Sequence, residues 1–470
     1  MRIPDTGPGA PTPDPGSFRD WDSRVYALDG RVLRALGPDG LDGWRALARS
    51  ELFAAAVAEG KLVATEEVDE RLPEEAGAAA VLEHERIPFV SYPYEWSFSM
   101  LRDAALLQLE LVRRALDEDL TLKDASPYNV QWRGTSPVFI DVGSFERLRE
   151  GEPWQGYRQF CLLFLNPLLL QAYTGAPFQP WLRGSLDGIH PDELRGVLSG
   201  RHRLRPGVLA HVVLHARLER RHGDGERDVK AELARAGFRK ELVAANVRRL
   251  EKLVRRLRWE PGRTTWSDYG ATTSYTEDDA ARKEGFVREV AARRRRGLVW
   301  DVGANEGRHA RIAAEHADTV VAFDADAAVV DRLDRELAAE GATRILPLVG
   351  DVTDPSPGLG WRGRERLPLE ERGRPELTLC LALLHHVSIA GNVPVTAFLD
   401  WLADLRTEIV LELPTRDDPR VAALLARKRP GAHADYDREP FERALAERFE
   451  VERSLELAGA TRILYAARPR

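Results

Sequence analysis

The residues best spaced for ligand chemistry lie in the second half of the chain. Leu298-Val-Trp-Asp-Val-Gly-Ala-Asn-Glu-Gly307 reads as a buried strand, a glycine turn and the start of a helix. Val320-Val-Ala-Phe-Asp324 reads as a second buried strand that ends on a carboxylate. A doubly wound sheet takes nucleotide-like ligands at such a junction, across the carboxyl ends of its first strands. Gly303 and Gly307 have no Cβ, so backbone can approach a ligand closely. Asp324 is placed to accept hydrogen bonds from ribose hydroxyls. The spacing is Asp301-x-Gly303-x-x-x-Gly307. It differs from the G-x-G-x-x-G that seats a pyrophosphate on a helix N-terminus. A carboxylate at position 301 repels a pyrophosphate and suits a ligand carrying an ammonium.

A second constellation lies in the N-terminal half. Leu122-Lys-Asp-Ala-Ser-Pro-Tyr-Asn-Val130 is followed by Pro137-Val-Phe-Ile-Asp-Val-Gly143. Phosphoryl transfer needs a carboxylate near the attacking hydroxyl, plus an amide and a second carboxylate to hold magnesium against phosphates. Asp124 fits the first role, and Asn129 and Asp141 fit the metal-ligand roles. The alternative is that all three merely cap turns.

Elements that would position these groups can be read around them. Arg344 to Asp351 predicts a third strand with an acid at its end, and Leu377 to Leu384 a fourth, almost wholly apolar, as buried parallel strands are. The fourth runs into His385 and His386. Ile409 to Leu413 predicts a fifth strand, carrying Glu412 as a further site candidate, and Thr461 to Ala466 a terminal one. Helical patterns separate them, at Ala327 to Ala339 and Val395 to Leu405, which predicts a βαβ sheet. Upstream, Val25 to Ala35 predicts a hairpin around Asp29-Gly30. A helix over Leu41 to Glu59, strands at Lys61 to Glu66 and Ala80 to Glu85, a hinge at Ser91 to Trp96 and a helix from Phe98 to Leu116 complete the approach to Asp124.

At 470 residues the chain should hold two or three domains. Its net charge of −7 gives no support to a nucleic-acid or anionic-membrane binder. Arg293 to Arg296 reads as the solvated end of a helix, and Arg416, Asp417 and Asp418 as loop surface. The two cysteines, Cys161 and Cys380, sit in apolar runs outside any metal spacing. That fits a reducing, cytoplasmic compartment. The apolar run Phe160 to Tyr173 is too short for a bilayer and reads as a core helix. Residues 1–17 read as a disordered leader.

The Asp301 motif and its ordered successors resemble class I methyltransferases that use S-adenosylmethionine, from about Trp266 to the C-terminus. The resemblance implies a doubly wound Rossmann-like domain over 263–470. It implies cofactor contacts from Asp301, Gly303, Asn305, Gly307 and Asp324, with Asp351 at the adenine amino group. A lid over the cofactor would fall at Trp266 to Tyr269 and Tyr275. One of His385 and His386 would serve as general base toward a hydroxyl acceptor; toward a phosphate the pair would orient or neutralise the anion.

The first half resembles the protein-kinase-like fold, including small-molecule phosphotransferases. That implies a kinase-like α+β domain over 18–204, ATP with Mg2+ as ligand where the site is live, and a helical linker over 205–262. Arg34 stands at the strand-lysine position, with Glu51 as its helix partner; no glycine-rich phosphate loop is present. The whole chain is then a multidomain α/β protein. The pairing resembles bifunctional enzymes that phosphorylate and methylate the end of a bacterial surface glycan. Ser91 to Trp96 and Ala382 to His386 also resemble nodulation-associated and polysaccharide-locus methyltransferase-like proteins. Three readings stay open: a methyltransferase with a binding module, a true kinase–methyltransferase, and a scaffold without activity. A small-molecule or glycan substrate is expected in the first two; the oligomeric state is left open.

Overall fold

The computed structural model describes residues 9–73, 77–149, 151–214, 240–261 and 276–470. The chain divides into two compact units. The first contains residues up to Trp132, Ser136–Pro261 and Leu359–Arg366; the second contains Arg133–Thr135, Gly262–Gly358 and Leu367–Arg470. The expected lid at Trp266 to Tyr269 and Tyr275 lies outside the described residues, as do 215–239 and 262 of the expected linker.

The first unit opens with strands β1 (Thr12–Pro13), β2 (Ser23–Leu28), β3 (Arg31–Leu36), β4 (Thr65–Val68) and β5 (Ala80–His84). They form an antiparallel sheet in the order β1-β2-β3-β5-β4. Thr12 and Pro13 pair with Ala27 and Tyr26, so part of the expected leader is built into the sheet. Leu28 pairs with Arg31, leaving a two-residue turn in which Asp29 and Gly30 take φ of 48° and 82°. Positive φ at both central residues is what a type I′ hairpin requires.

The helix expected over Leu41 to Glu59 is broken in two, Pro38–Ala48 and Glu51–Ala58. Ser50 causes the break, because its Oγ accepts from Phe53 N at 3.1 Å and caps the second helix. Helix Phe98–Asp117 follows, capped by Ser97 and almost wholly buried on its apolar side. Against it pack Val243, Val247, Leu250 and Val254 of helix Lys240–Arg256, spaced along one helical face. Part of the expected linker is thus an integral helix of this unit.

Two short ladders set the loops of the N-terminal constellation. Strand β6 (Leu120–Leu122) pairs with β9 (Phe145–Arg147), and β7 (Val130–Arg133) pairs with β8 (Ser136–Phe139). One ladder is nested inside the other along the chain. The loop after β6 and the loop after β8 therefore meet, although 12 residues separate Asn129 from Asp141. The apolar run expected as a core helix is helical, with a π-turn at Cys161–Leu165 between helices Tyr157–Phe160 and Asn166–Thr174.

The second unit is a seven-stranded sheet in the order β12-β11-β10-β13-β14-β16-β15. Its strands are β10 (Arg296–Val302), β11 (Ala317–Asp324), β12 (Ile345–Val349), β13 (Leu377–Cys380), β14 (Glu408–Pro414), β15 (Phe449–Glu456) and β16 (Arg462–Pro469). Strands β10 to β14 run parallel, and β16 is antiparallel to both neighbours. Helices Glu277–Ala292, Arg308–Ala314, Ala327–Glu340 and Val395–Asp404 alternate with the strands. This is the doubly wound sheet expected from the apolar runs. β15 was not expected; it shows one buried residue, Phe449, along an otherwise accessible edge.

The Arg293–Arg296 run is only partly a solvated helix end. Arg296 begins β10, is 1% exposed and pairs with Glu408 at 2.5 Å. Its three neighbours pair with Glu452, Glu376 and Asp318. No described helix is long and apolar enough to cross a membrane.

Candidate functional site

The carboxyl ends of β10, β11 and β13 gather most of the groups expected to act on a ligand. After β10 the chain turns sharply. Gly303, Asn305 and Gly307 take φ of 78°, 47° and 69°. This left-handed run explains both glycines. A Cβ on Gly307 would stand 2.7 Å from Leu333 Cδ1, and one on Gly303 would stand 3.1 Å from Leu383 Cδ1. Close packing under the turn is therefore the local reason for glycine, beside any approach of a ligand.

Asp324, at the end of β11, braces the same turn. Its Oδ2 accepts from Asn305 N and its Oδ1 from Asp326 N, both at 2.9 Å. Burial pushes its carboxyl up, while those backbone N–H groups oppose the shift.

Asp301 is the most unusual group in the unit. It is 1% exposed, and its Oδ2 has no hydrogen-bond partner among the described residues. Buried polar atoms are nearly always paired, so an orphaned carboxylate oxygen needs an explanation. Burial pushes the Asp301 carboxyl up to about 7, against the pull of the Lys283 ammonium. Asp351 behaves differently: it is exposed, and its Oδ1 accepts from Thr353 N at 2.8 Å and Thr353 Oγ1 at 2.7 Å.

His385 and His386 follow β13, their ring centroids 3.9 Å apart. His385 is fully buried, and neither of its ring nitrogens has a partner among the described residues. Burial and the cations Arg420 and Arg462 push His386 down to about 4. Burial and the adjacent His386 take His385 well below the usual range as well. Both rings are neutral at working pH. A titration near neutrality, expected from the residue type alone, is displaced to acid.

An ionic network that no sequence motif marks lies beneath this loop. Glu412 of β14 is fully buried. Its Oε2 accepts from Lys283 Nζ at 2.7 Å and from Ala382 N at 2.8 Å, and its Oε1 pairs with Arg462 Nη1 at 3.1 Å. Arg462 Nε pairs in turn with Asp418 Oδ2 at 2.8 Å. Asp418 is fully buried and caps helix Pro419–Leu425, so it is not loop surface. Ala382 takes a φ of 51°, uncommon for a residue with a Cβ, and Glu412 holds its N–H. Glu412 thereby ties the start of the histidine loop to β14.

In the first unit the two loops bring Asp124, Asn129 and Asp141 into one cleft with Arg34. Arg34 Nη1 pairs with Asp141 Oδ1 at 2.8 Å and donates to Ser23 Oγ at 2.7 Å. Its Nε donates to His84 Nε2 at 3.0 Å. Glu51, expected as the partner of Arg34, instead begins a helix whose first N–H groups are held by Glu118. Asn129 Nδ2 donates to Asp141 Oδ2 at 3.3 Å. Burial and the nearby Asp141 push Asp124 up to about 6. The backbone on either side of its side chain is fixed: Gln108 Nε2 donates to Asp124 O, and Ala125 N donates to Gln159 Oε1. A cavity of about 660 Å³ opens beside this loop, lined by Ser126, Tyr128, Gln155, Arg158, Gln159 and His190 among others. Among the described residues no group of three or more His, Cys, Asp or Glu side chains is arranged to hold a metal.

No family model matches the chain. It is 32% identical over 458 residues to the nodulation protein NoeA of Rhizobium meliloti (strain 1021), covering 96% of this chain and 94% of that protein. Among solved structures it is similar to the N-methyltransferase NodS of Bradyrhizobium japonicum WM9 in complex with S-adenosyl-l-homocysteine. That likeness covers 44% of this chain and 99% of NodS, with a TM-score of 0.31 and 9% identity. It is also similar to the magnesium protoporphyrin IX methyltransferase ChlM of Synechocystis PCC 6803 with bound SAH. Here 48% of this chain and 94% of ChlM are covered, with a TM-score of 0.30 and 17% identity.

Proposed function

The chain belongs to the family of the nodulation protein NoeA, and we propose that it is an S-adenosylmethionine-dependent methyltransferase acting on a hydroxyl or phosphate of a glycan or small molecule. The observation that carries this reading is the orphaned Asp301 Oδ2, buried beside the Gly303–Gly307 turn and the Asp324 carboxylate. A cofactor with an ammonium and a ribose fits these two acids: Asp301 is suited to the cation, Asp324 to the hydroxyls. Gly303, Asn305 and Gly307 shape the turn between them, and Asp351 is assigned to the adenine amino group. Bound S-adenosylmethionine supplies the methyl group together with its sulfonium leaving group.

The chain's own residues then have to orient the acceptor and exclude water. His385 and His386 are neutral and weakly basic, so they act chiefly by accepting a hydrogen bond from an acceptor hydroxyl. A ring near 4 is a poor match for a base that works near neutral pH. A phosphate acceptor would need no base, and the Arg420 charge, which bears on both rings, suits an anion.

The first unit is read as a kinase-like module that binds substrate or nucleotide. Its support is the sheet order β1-β2-β3-β5-β4 followed by the nested β6·β9 and β7·β8 ladders around Asp124 and Asp141. A bifunctional kinase–methyltransferase is the weaker reading, because both oxygens of Asp141 are engaged by side chains. Calorimetry of the full chain with S-adenosylhomocysteine tests the methyl-donor site. Micromolar binding that is lost in Asp324→Ala supports the reading; no heat from the wild type removes it.

A further inference from the structure

The cleft of the first unit lacks the parts needed to hold a magnesium–nucleotide complex. Asp141 and Asn129 stand where divalent-cation ligands were expected, but both Asp141 oxygens are turned to Arg34 and to the Asn129 amide nitrogen. Asp141 Oδ1 is 2.8 Å from Arg34 Nη1, and Oδ2 accepts from Asn129 Nδ2 at 3.3 Å. The residues do not fit a resident metal ion. The β2–β3 turn is two residues long, too short to fold over a chain of phosphates.

What the cleft holds instead is a guanidinium fixed from several sides. Ser23 Oγ and Asp141 take Nη1, and His84 Nε2 takes Nε. His84 must therefore carry its proton on Nδ1, which lies 2.9 Å from Thr65 Oγ1; that hydroxyl in turn donates to Val63 O at 3.2 Å. Burial, then the Arg34 charge, keeps this imidazole neutral. Even Gly143 serves the arrangement, since a Cβ there would stand 3.1 Å from Arg34 Nη1. Arg34 is 8% exposed, and its Nη2 has no partner among the described residues. The Nη2 corner of a rigid cation is thus left for a ligand.

The geometry points to a metal-independent oxyanion site in which Arg34 takes the place of the divalent cation and binds a single phosphate group of the ligand through Nη2. Nη2 offers charge-assisted N–H donors to a phosphate oxygen, and a guanidinium cannot lose its charge at working pH. The short β2–β3 turn favours a phosphate monoester over a triphosphate. This rests on the reading of the first unit as a binding module and is independent of methyl transfer.

The test uses the full chain and inorganic phosphate in excess EDTA, followed by thermal shift and 31P line broadening. Phosphate should bind the wild type without metal, and Arg34→Met should weaken it about ten-fold or more, the scale of one charge-assisted hydrogen bond. Retained far-UV circular dichroism and an unchanged urea unfolding midpoint show that the variant is folded. No phosphate binding in EDTA overturns the proposal. Mn2+ binding by paramagnetic resonance gives a readout that does not depend on the Arg34 variant. The wild type should show no Mn2+ site that disappears in Asp141→Asn. A site that does disappear, with or without phosphate, overturns the assignment of Arg34 as the resident cation.

Discussion

Acidification should strip the Asp301 pocket of its affinity for an ammonium ligand, and S-adenosylhomocysteine is the probe that isolates this effect, since it carries the ammonium without the sulfonium. Burial raises the free-state carboxyl to about 7. A cation binds the ionised form, so the complex holds the proton less tightly than the free protein does. Affinity is then full above the free-state value and falls as pH drops below it. The loss approaches ten-fold per pH unit, roughly 100-fold between the alkaline plateau and about pH 5. At 1.36 kcal/mol per unit this is about 2.7 kcal/mol. An aspartate at its ordinary value near 3.9 would give almost no change over that window. The assay is calorimetry or fluorescence titration from about pH 5 to pH 8, with Asp301→Asn as control. The variant should be weaker at the alkaline end and flat throughout. Methylthioadenosine, which lacks the ammonium, should also be flat in the wild type. A wild-type profile for S-adenosylhomocysteine that does not move across this window would refute the reasoning: Asp301 would then be either ionised throughout or remote from the ligand.

Other consequences can be measured directly. Glu412→Ala leaves Lys283 and Arg462 buried without their shared carboxylate, and breaking such a pair costs about 3–5 kcal/mol; urea unfolding should show a drop of that order, and a loss below about 1 kcal/mol would mean the network relaxes. Replacing Asp324 by Ala should weaken S-adenosylhomocysteine by about 1.5–3 kcal/mol, the worth of a charge-assisted hydrogen bond, and unchanged affinity would remove it from the site. Because the histidines are held low, His386 at about 4, turnover should show no titration from them between about pH 6 and pH 8; a limb near 6.5 that vanishes in His386→Ala would contradict the described environment. Gly307→Ala should destabilise the second unit by about 1–3 kcal/mol, since φ is 69° and the new Cβ would press on Leu333, and a neutral change in urea midpoint would show that the turn can shift.

The parallel sheet was legible because buried parallel strands are continuous apolar runs, and the ends of those runs placed Asp301, Asp324 and the histidine pair on one edge. β15 was not, because Phe-Glu-Val-Glu-Arg-Ser-Leu-Glu over 449–456 is an edge strand with seven of its eight residues at least partly exposed, and its charges resemble a helix surface. The ionic network was harder still. Lys283 and Glu412 are 129 residues apart, and Glu412 and Arg462 are 50 apart, so no local pattern links them. A charged residue read alone is assigned to the surface, which is why Asp418 reads as loop in the sequence. Arg34 illustrates the same limit: its sequence position suggested a helix carboxylate, Glu51, while the nested ladders delivered Asp141 instead. Histidine spacing located the pair but could not foresee how far burial and two arginines would lower its basicity.

Strand β16 lies between β14 and β15, yet it follows both in the chain. β15 has no other neighbour in the sheet, so it cannot join before β16 does. The same strand carries Arg462, the guanidinium that neutralises Glu412 and Asp418. Until β16 docks, β14 would present an open strand edge and a carboxylate with one counter-charge missing. Assembly of this half is therefore ordered in time. The pairing of Ile409 with Ala467 is non-local, and loop closure of that kind is slow. Nascent or refolding chains caught before that step would expose an unpaired edge, the surface through which partly folded sheets associate with one another.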